Sequence, residues 1–170
     1  NSIIKKNFVE EYAAGRTPNP CIICNEKVKF KYLYDFAMAH GFDMIATGHY
    51  ARVERFECDG ELRYALSCAE DLVKDQTYML WRLSQRVLSR LIFPLSELTK
   101  EEVAQMNSAL YLVPTDKKES QEICFIPDNN YQSYICTHSD FKAEKGSFLD
   151  NNGEIIGTHT GIINYTVGQR

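Results

Sequence analysis

Hydrophobic positions in the first 40 residues repeat at helical spacing in two segments. Apolar residues recur every three or four positions across residues 2–14 and again across residues 24–40, and a glycine follows each segment, where a helix C-terminal cap is expected. Between them, residues 16–20 contain two prolines, which exclude a helix and favour an extended, stiff path. The pattern therefore predicts two helices joined by a rigid loop, with Cys24 near the N-terminus of the second helix.

Short apolar runs further along the chain indicate strands. Residues 44–47 form an apolar run closed by Gly48, which is typical of a buried parallel strand that leads into a loop. A helix followed by such a strand predicts an α/β sheet. Residues 62–66 indicate an outer strand after a turn at residues 59–60, and residues 76–91 are predicted to be mainly helical.

The sequence pattern changes after the first three quarters of the chain, which predicts two domains. A capping box, TKEE, opens a helix predicted over residues 99–110, whereas the periodicity of residues 113–124 fits no single element. Residues 131–138 favour one short helix, and short strand-like pieces punctuated by glycines follow. We therefore predict an α/β domain over residues 1–130 and the start of a small β-rich domain over residues 131–170.

Composition narrows the class of protein. The 170 residues are 44% hydrophobic, enough for one core and an appendage. No run approaches the roughly 18 to 20 apolar residues that a membrane span needs, and the first residues lack the apolar centre of a signal peptide, so we expect a cytoplasmic protein without a membrane segment. Because the chain starts at Asn1 and stops after TVGQR, we expect an internal part of a longer protein.

The six cysteines are too sparse for a disulfide scaffold and favour metal binding or catalysis in a reducing compartment. In PNPCIICN, a rigid loop presents Cys21 and Cys24 at CxxC spacing, and a thiolate on Cys24 would be favoured by the helix end and by Lys27. This spacing fits four kinds of site: half a zinc site, two iron–sulfur ligands, a redox dithiol or two core cysteines. Structural zinc is disfavoured because no second CxxC or HxxxH occurs. Cys124 follows the cationic segment KKESQEI and is either a reactive thiol or a buried inert one. Packing or surface roles are expected for the remaining cysteines, Cys58, Cys68 and Cys136.

Two further segments carry polar groups at positions suited to ligands. Gly48 and His49 come directly after the predicted parallel strand, where open α/β sheets bind their ligands, although a lone histidine is also a common structural group. Lys74, Asp75 and Gln76 could form a charged helix start with Asp75 as its N-cap. The net charge of −4 argues against nucleic-acid binding through bulk electrostatics, but basic residues cluster around the CxxC and before Cys124.

Five motifs in order, GRTPNPCIICN, ATGHYAR, KDQTYML, KKESQEICFIP and TVGQR, resemble those of the tRNA-specific 2-thiouridylases, formerly named tRNA methyltransferases. The resemblance spans the whole chain and implies an ATP-pyrophosphatase-like domain, of the adenine nucleotide alpha-hydrolase type with a Rossmann-like parallel sheet. It implies an enzyme that adenylates the wobble uridine of certain tRNAs and replaces its C2 oxygen with sulfur. It also implies ATP, with Mg²⁺, as cofactor and tRNA as partner.

The resemblance also assigns roles residue by residue. Cys24 matches the nucleophilic cysteine, Cys124 the cysteine that carries a persulfide, and Gly48 a glycine that contacts ATP. The positions that match tRNA-contacting residues are His49, the target-base segment Asn19, Pro20 and Cys21, and the triplet Lys74, Asp75 and Gln76.

The implied chemistry leaves two mechanisms open. A sulfur-carrier protein would pass sulfur to Cys124, and the persulfide would either attack C2 or release sulfide when Cys24 attacks it; both routes end with a Cys24–Cys124 disulfide, which requires Cα atoms roughly 4.4 to 6.8 Å apart. Members of the family carry either aspartate or cysteine at the position of Cys21, so this thiol is a candidate acid/base. Alternatively, Cys21, Cys24 and Cys124 could hold a [4Fe-4S] cluster with one open iron.

The sequence departs from the family pattern in three ways. The SGGxDS loop that grips the ATP phosphates and the C-terminal β-barrel are absent, and Glu119 stands where many relatives have aspartate. We therefore expect this chain alone to be inactive, and we expect the protein to be a monomer. A non-catalytic, metal-stabilised tRNA-binding module remains the alternative, whereas a methyltransferase is disfavoured because no GxGxG loop occurs.

Overall fold

The computed structural model describes residues 2–110 and 123–166, which belong to two compact units. One unit comprises residues 21–118, and the other combines residues 1–20 with residues 119–170. The two units do not follow one another in sequence, so they do not test the domain boundary that we expect after residue 130, which stays a prediction.

The helix that carries the CxxC begins earlier than predicted. Helix α2 (Pro20–Cys24) continues through a π-helical segment (Asn25–Lys29) into α3 (Phe30–Ala39). Pro20 occupies the first helical position, which its fixed φ and missing N–H suit. Cys24 therefore lies a full turn inside the helix rather than near its N-terminus, which corrects the prediction.

A parallel pair of strands forms the centre of the unit of residues 21–118. Strand β1 (Ile45–Ala46) pairs with β4 (Leu91–Ile92), with Ile45 opposite Leu91 and Ala46 opposite Ile92. Helix α3 packs on this pair because its buried residues repeat at i, i+4 and i+7. The core consists of Phe30, Tyr34, Ala37, Ile45, Ala51, Leu80, Leu83, Leu88, Leu91 and Phe93. The predicted parallel strand and α/β class are confirmed.

An antiparallel hairpin follows β1. Strands β2 (Arg52–Cys58) and β3 (Glu61–Ser67) pair over their full length. Asp59 and Gly60 connect them with φ values of 51° and 76°. Two consecutive residues in the left-handed region match the twist of a tight hairpin, and aspartate followed by glycine suits such a turn. The predicted turn and outer strand are confirmed.

Residues 76–91 are not mainly helical, which corrects the prediction. They contain a 3₁₀ turn (Thr77–Met79), the short helix α4 (Gln85–Leu88) and the start of β4. Ser84 caps α4, since its hydroxyl accepts from the Val87 N–H at 3.4 Å, and this ends the preceding irregular segment. The buried apolar residues of these short elements are spaced in the sequence as they would be in one helix, so their periodicity alone predicts the wrong structure.

A capped helix closes the described part of this unit. Helix α5 (Lys100–Leu110) begins after Thr99. The Thr99 hydroxyl accepts from the Glu102 N–H at 3.2 Å, and the Thr99 N–H donates to the Glu102 carboxylate at 2.7 Å. These reciprocal bonds form the predicted capping box.

The other unit contains two helices and a hairpin. Helices α1 (Ser2–Ala13) and α6 (Tyr131–His138) pack around Phe8, Val9, Tyr12, Ile126 and Ile135. Strands β5 (Gly146–Leu149) and β6 (Ile155–His159) form an antiparallel hairpin, followed by a 3₁₀ turn (Ile162–Asn164). The predicted helices and the β-rich texture of the last segment are confirmed. None of the helices in the described ranges combines the length and apolar character required to cross a membrane.

Candidate active site

Two thiols lie on one face of the helix that starts at Pro20. Cys21 is exposed in the first helical turn, and Cys24 is half-buried three residues later. Residues three apart on a helix are neighbours, so both thiols point to the same side. The field of a helix N-terminus falls off within the first turn, so it acts on position 21 more than on Cys24.

Glu26, two residues after Cys24 in the sequence, binds two cations. Lys27 Nζ lies 2.6 Å from one oxygen of Glu26, and Arg82 Nε lies 2.6 Å from the other. Two cations share one anion, so this cluster carries a net positive charge. Lys27, which was expected to favour a Cys24 thiolate, is therefore paired with a carboxylate, and Arg82, which the sequence pattern did not single out, belongs to the same cluster.

The loop after β1 presents Gly48 and His49. Gly48 is exposed, and a Cβ built there would meet only Leu95 Cδ1, at 3.8 Å, so its peptide is accessible to a ligand. The half-buried His49 ring packs beside two aromatic rings, with its centroid 5.5 Å from that of Phe30 and 6.0 Å from that of Phe93. Thr47 Oγ1 lies 2.8 Å from His49 Nδ1. Burial, and secondly the positive charge of Lys29, lower the pKa of His49 from 6.5 to about 4. The imidazole is therefore neutral at pH 7 and can take part in hydrogen bonds without adding charge.

Hydrogen bonds join the loop that carries His49 to the triplet Lys74, Asp75 and Gln76. The Gln76 N–H donates to the Tyr50 carbonyl at 2.8 Å, and the Tyr50 N–H donates to Gln76 Oε1 at 3.1 Å. Asp75 accepts from the Ala69 N–H at 3.0 Å and the Thr77 N–H at 3.1 Å, and also from the Thr77 hydroxyl. Asp75 thus acts as a capping group for the turn at Thr77, although Gln76 occupies the N-cap position.

One residue that sequence reasoning missed joins the thiol helix to this turn. Asn25 is buried, and its Nδ2 donates to the Met79 carbonyl at 3.2 Å. The signal was available: a polar residue directly after the CxxC occupies a position that the helix turns toward the core. Through Asn25, Gln76 and the Phe30–His49 contact, the unit of residues 21–118 holds three of the predicted motif segments in one framework.

The remaining predicted site residues lie in the other unit. Cys124 is exposed beside a turn in which the Ile126 N–H donates to the Ile123 carbonyl at 2.8 Å, and Ile126 is buried. Asn19 is exposed and Pro20 is buried. Because Cys24 and Cys124 belong to different units, their pairing stays a prediction. The cationic segment before Cys124, including Glu119, lies outside the described residues.

The other cysteines and the metal alternatives can be placed as well. Cys58, Cys68 and Cys136 are exposed. Across residues 2–110 and 123–166, no three or more His, Cys, Asp or Glu side chains are arranged to hold a metal ion. The alternative of a metal-stabilised binding module gains no support from the described residues.

Two family models match this chain. Residues 1–128 match the family model of the tRNA methyl transferase HUP domain, and residues 132–170 match that of the tRNA methyl transferase PRC-barrel domain. A relative from Treponema denticola, named tRNA-specific 2-thiouridylase, is 48% identical over 96% of this chain and 44% of its own length. Relatives of the same name from Lachnoclostridium phytofermentans and Caldanaerobacter subterraneus are 49% and 48% identical, over 96% and 98% of this chain and 45% of their own lengths. The chain thus spans less than half the length of these curated relatives.

Proposed function

The chain belongs to the tRNA-specific 2-thiouridylase family, and we propose that the protein performs ATP-dependent 2-thiolation of the wobble uridine of tRNA. The observation that carries this proposal is the shared framework of the thiol helix, the Gly48–His49 loop and the Lys74–Gln76 turn. Asn25 and Gln76 hold these three segments together through hydrogen bonds of 3.2 Å to Met79 and 2.8 Å to Tyr50.

The residues present fit an ATP-using site. The match to a HUP domain and the exposed peptide of Gly48 beyond the carboxyl end of β1 support ATP binding at this edge of the sheet. ATP, with Mg²⁺, would supply the adenylyl group that turns the uridine C2 oxygen into a leaving group. Neutral His49 would hold the base or ribose by hydrogen bonds, and Lys74 would contribute positive charge for the tRNA backbone.

The two separated thiols would handle the sulfur. The Cys124 persulfide, loaded by a sulfur-carrier protein, attacks C2, and AMP leaves with the original oxygen. The Cys24 thiolate then attacks Cys124 Sγ, the bond between the two persulfide sulfurs breaks, and the transferred sulfur stays on C2 as the thiocarbonyl. In the second route, Cys24 attacks first, and the sulfide that is released attacks C2. Both routes oxidise the two cysteines to a disulfide, which a thiol reductant must reset. The exposed position of Cys124 supports loading by another protein.

Cys21 has two candidate roles within this function. Its exposed position in the first helical turn suits an acid/base that exchanges protons with solvent. As a [4Fe-4S] ligand with Cys24 it would need Cys124 as the third thiolate. Anaerobic purification followed by iron and acid-labile sulfide analysis separates the two roles, since an iron-free, active enzyme excludes the cluster.

Activity should be tested in a protein of the relatives' length that carries this sequence. We expect 2-thiouridine to form in tRNA with ATP and a persulfide donor, as measured by nucleoside analysis. Cys24→Ser and Cys124→Ser should abolish it, whereas Cys58→Ser, which removes an exposed thiol from the hairpin, should not. Normal thiolation in both of the first two variants would refute the assignment. Size-exclusion chromatography with light scattering tests the expected monomer.

A further inference from the structure

Asn25 is an unusual residue in the core of its unit. It is 1% exposed and is the one polar or charged residue in the buried class among the described residues. A buried amide loses its hydrogen bonds to water, so the position is unfavourable unless the protein replaces them. A side chain of the same size without polar atoms would avoid this penalty.

The protein replaces only part of what Asn25 loses. Its Nδ2 donates to the Met79 carbonyl at 3.2 Å, whereas buried Oδ1 has no partner among the described residues. An unsatisfied buried acceptor is destabilising. Stability alone therefore favours an apolar residue here, and the asparagine needs another explanation.

The position of Asn25 in the helix supplies that explanation. It directly follows Cys24 and is the first residue of the π-helical segment. The Phe30 N–H donates to the Asn25 carbonyl, so one wide turn begins at this residue. A π turn changes the angular register of the side chains before and after it, and such turns are frequent at functional sites. The conformation at Asn25 thus influences the direction of the Cys24 side chain.

The other end of the hydrogen bond is also anchored at the candidate site. Met79 is the last residue of the 3₁₀ turn that starts at Thr77. The Asp75 side chain fixes the start of that turn, and the neighbouring Gln76 side chain accepts a hydrogen bond from the N–H of Tyr50, next to His49. Asn25 therefore connects the turn of helix that bears Cys24 with the segment proposed to contact tRNA.

Resting on the proposed thiouridylase function, we propose that Asn25 is a positioning residue for Cys24. Its side-chain amide holds the Cys24 turn against the Thr77–Met79 turn, so that the thiol faces the sulfur-transfer partner when tRNA is bound. Misplacement of a reacting group by about 1 Å can lower a rate about 100-fold, so loss of this bond should act on the chemical step. Binding of tRNA, which uses other groups, should be little affected.

The test measures kcat and the KM for tRNA in a protein of the relatives' length. Asn25→Leu keeps the number of side-chain heavy atoms and removes both amide atoms; we expect an unchanged KM and a kcat about tenfold or more below that of the wild type, and Tm reports whether the variant folds. Asn25→Ala, which fits without a clash, decides the matter if the leucine variant fails to fold. Tyr34→Phe is the matched control, because it removes a buried hydroxyl of the same helix, which accepts from Arg86 Nε at 2.9 Å, without touching the Met79 turn. Its kcat should equal that of the wild type.

The outcomes separate this inference from the function on which it rests. Absence of thiolation by the wild type under these conditions would overturn the proposed function and the inference with it. Active wild type together with an unchanged kcat in the folded Asn25 variants would overturn the inference alone. A raised KM at constant kcat would also overturn it, since it would place Asn25 in tRNA binding.

Discussion

Acidification should destabilise the protein through His49. Burial lowers the pKa of this imidazole from 6.5 to about 4, with a second contribution from the positive charge of Lys29. Between pH 6.5 and pH 4, His49 is therefore protonated in the unfolded chain but neutral in the folded protein. The free energy of unfolding has its full value above pH 6.5 and falls as the pH drops through this window. Linkage between those two values gives a loss of about 2 kcal/mol from pH 7 to pH 5. Because the ring is only half-buried, water screens the effect, and we expect about 1 kcal/mol.

Urea denaturation of wild type and His49→Gln at pH 7 and pH 5 measures this loss. The difference in unfolding free energy between the two proteins should shift by about 1 kcal/mol in favour of the variant on acidification. Thr47→Val removes the 2.8 Å contact to Nδ1 but keeps the buried imidazole, so it should retain the wild-type pH dependence. Lys29→Gln should reduce it in part. A difference between wild type and His49→Gln that stays constant with pH would refute the argument from burial.

Three further predictions concern stability and are checked by urea or thermal denaturation. Leu80→Ala should lower the free energy of unfolding by about 2 to 5 kcal/mol because Leu80 is fully buried. Leu62→Ala, at a residue that is 50% exposed, should lower it by less than about 1 kcal/mol. Equal losses would contradict the assigned core. Thr99→Ala should lose about 1 kcal/mol with its half of the capping box, and an unchanged Tm would argue against that cap. Gly161→Ala should lose about 2 kcal/mol or more, because φ is 139° and the added Cβ would lie 2.7 Å from that of Ala143. Adding Ala143→Gly should restore only the part due to the clash, and full restoration would show that the backbone conformation is not strained.

Features fixed by local chemistry could be predicted from the sequence. The Asp59–Gly60 turn and the Thr99 capping box depend on side chains within a few residues of each other, and both were predicted and found. The parallel strand was predicted because a buried strand is a continuous apolar run. Residues 76–91 were mispredicted because their apolar positions are distributed over three short elements. A hydrophobic period records burial and does not record which backbone path produces it.

The framework of the candidate site could be predicted only in part. The CxxC, Gly48, His49 and the Lys74–Gln76 triplet were identified by motif, but their connections are tertiary. The bond from Asn25 to Met79 spans 54 residues, and that between Gln76 and Tyr50 spans 26. The His49 ring packs beside Phe30 and Phe93, which no local pattern associates with it. Only the fold brings such groups together.

The corrected start of the thiol helix changes how the two CxxC positions should be understood. With Pro20 as the first helical residue, position 21 lies in the first turn, where unsatisfied backbone N–H groups stabilise a negative charge, and Cys24 lies beyond it. For Cys24, the feature on which we base a role is the proposed positioning by Asn25, whose side chain is bound to the Met79 carbonyl. The two thiols of one motif therefore differ in their position relative to the helix N-terminus, and separate roles for them stay a prediction.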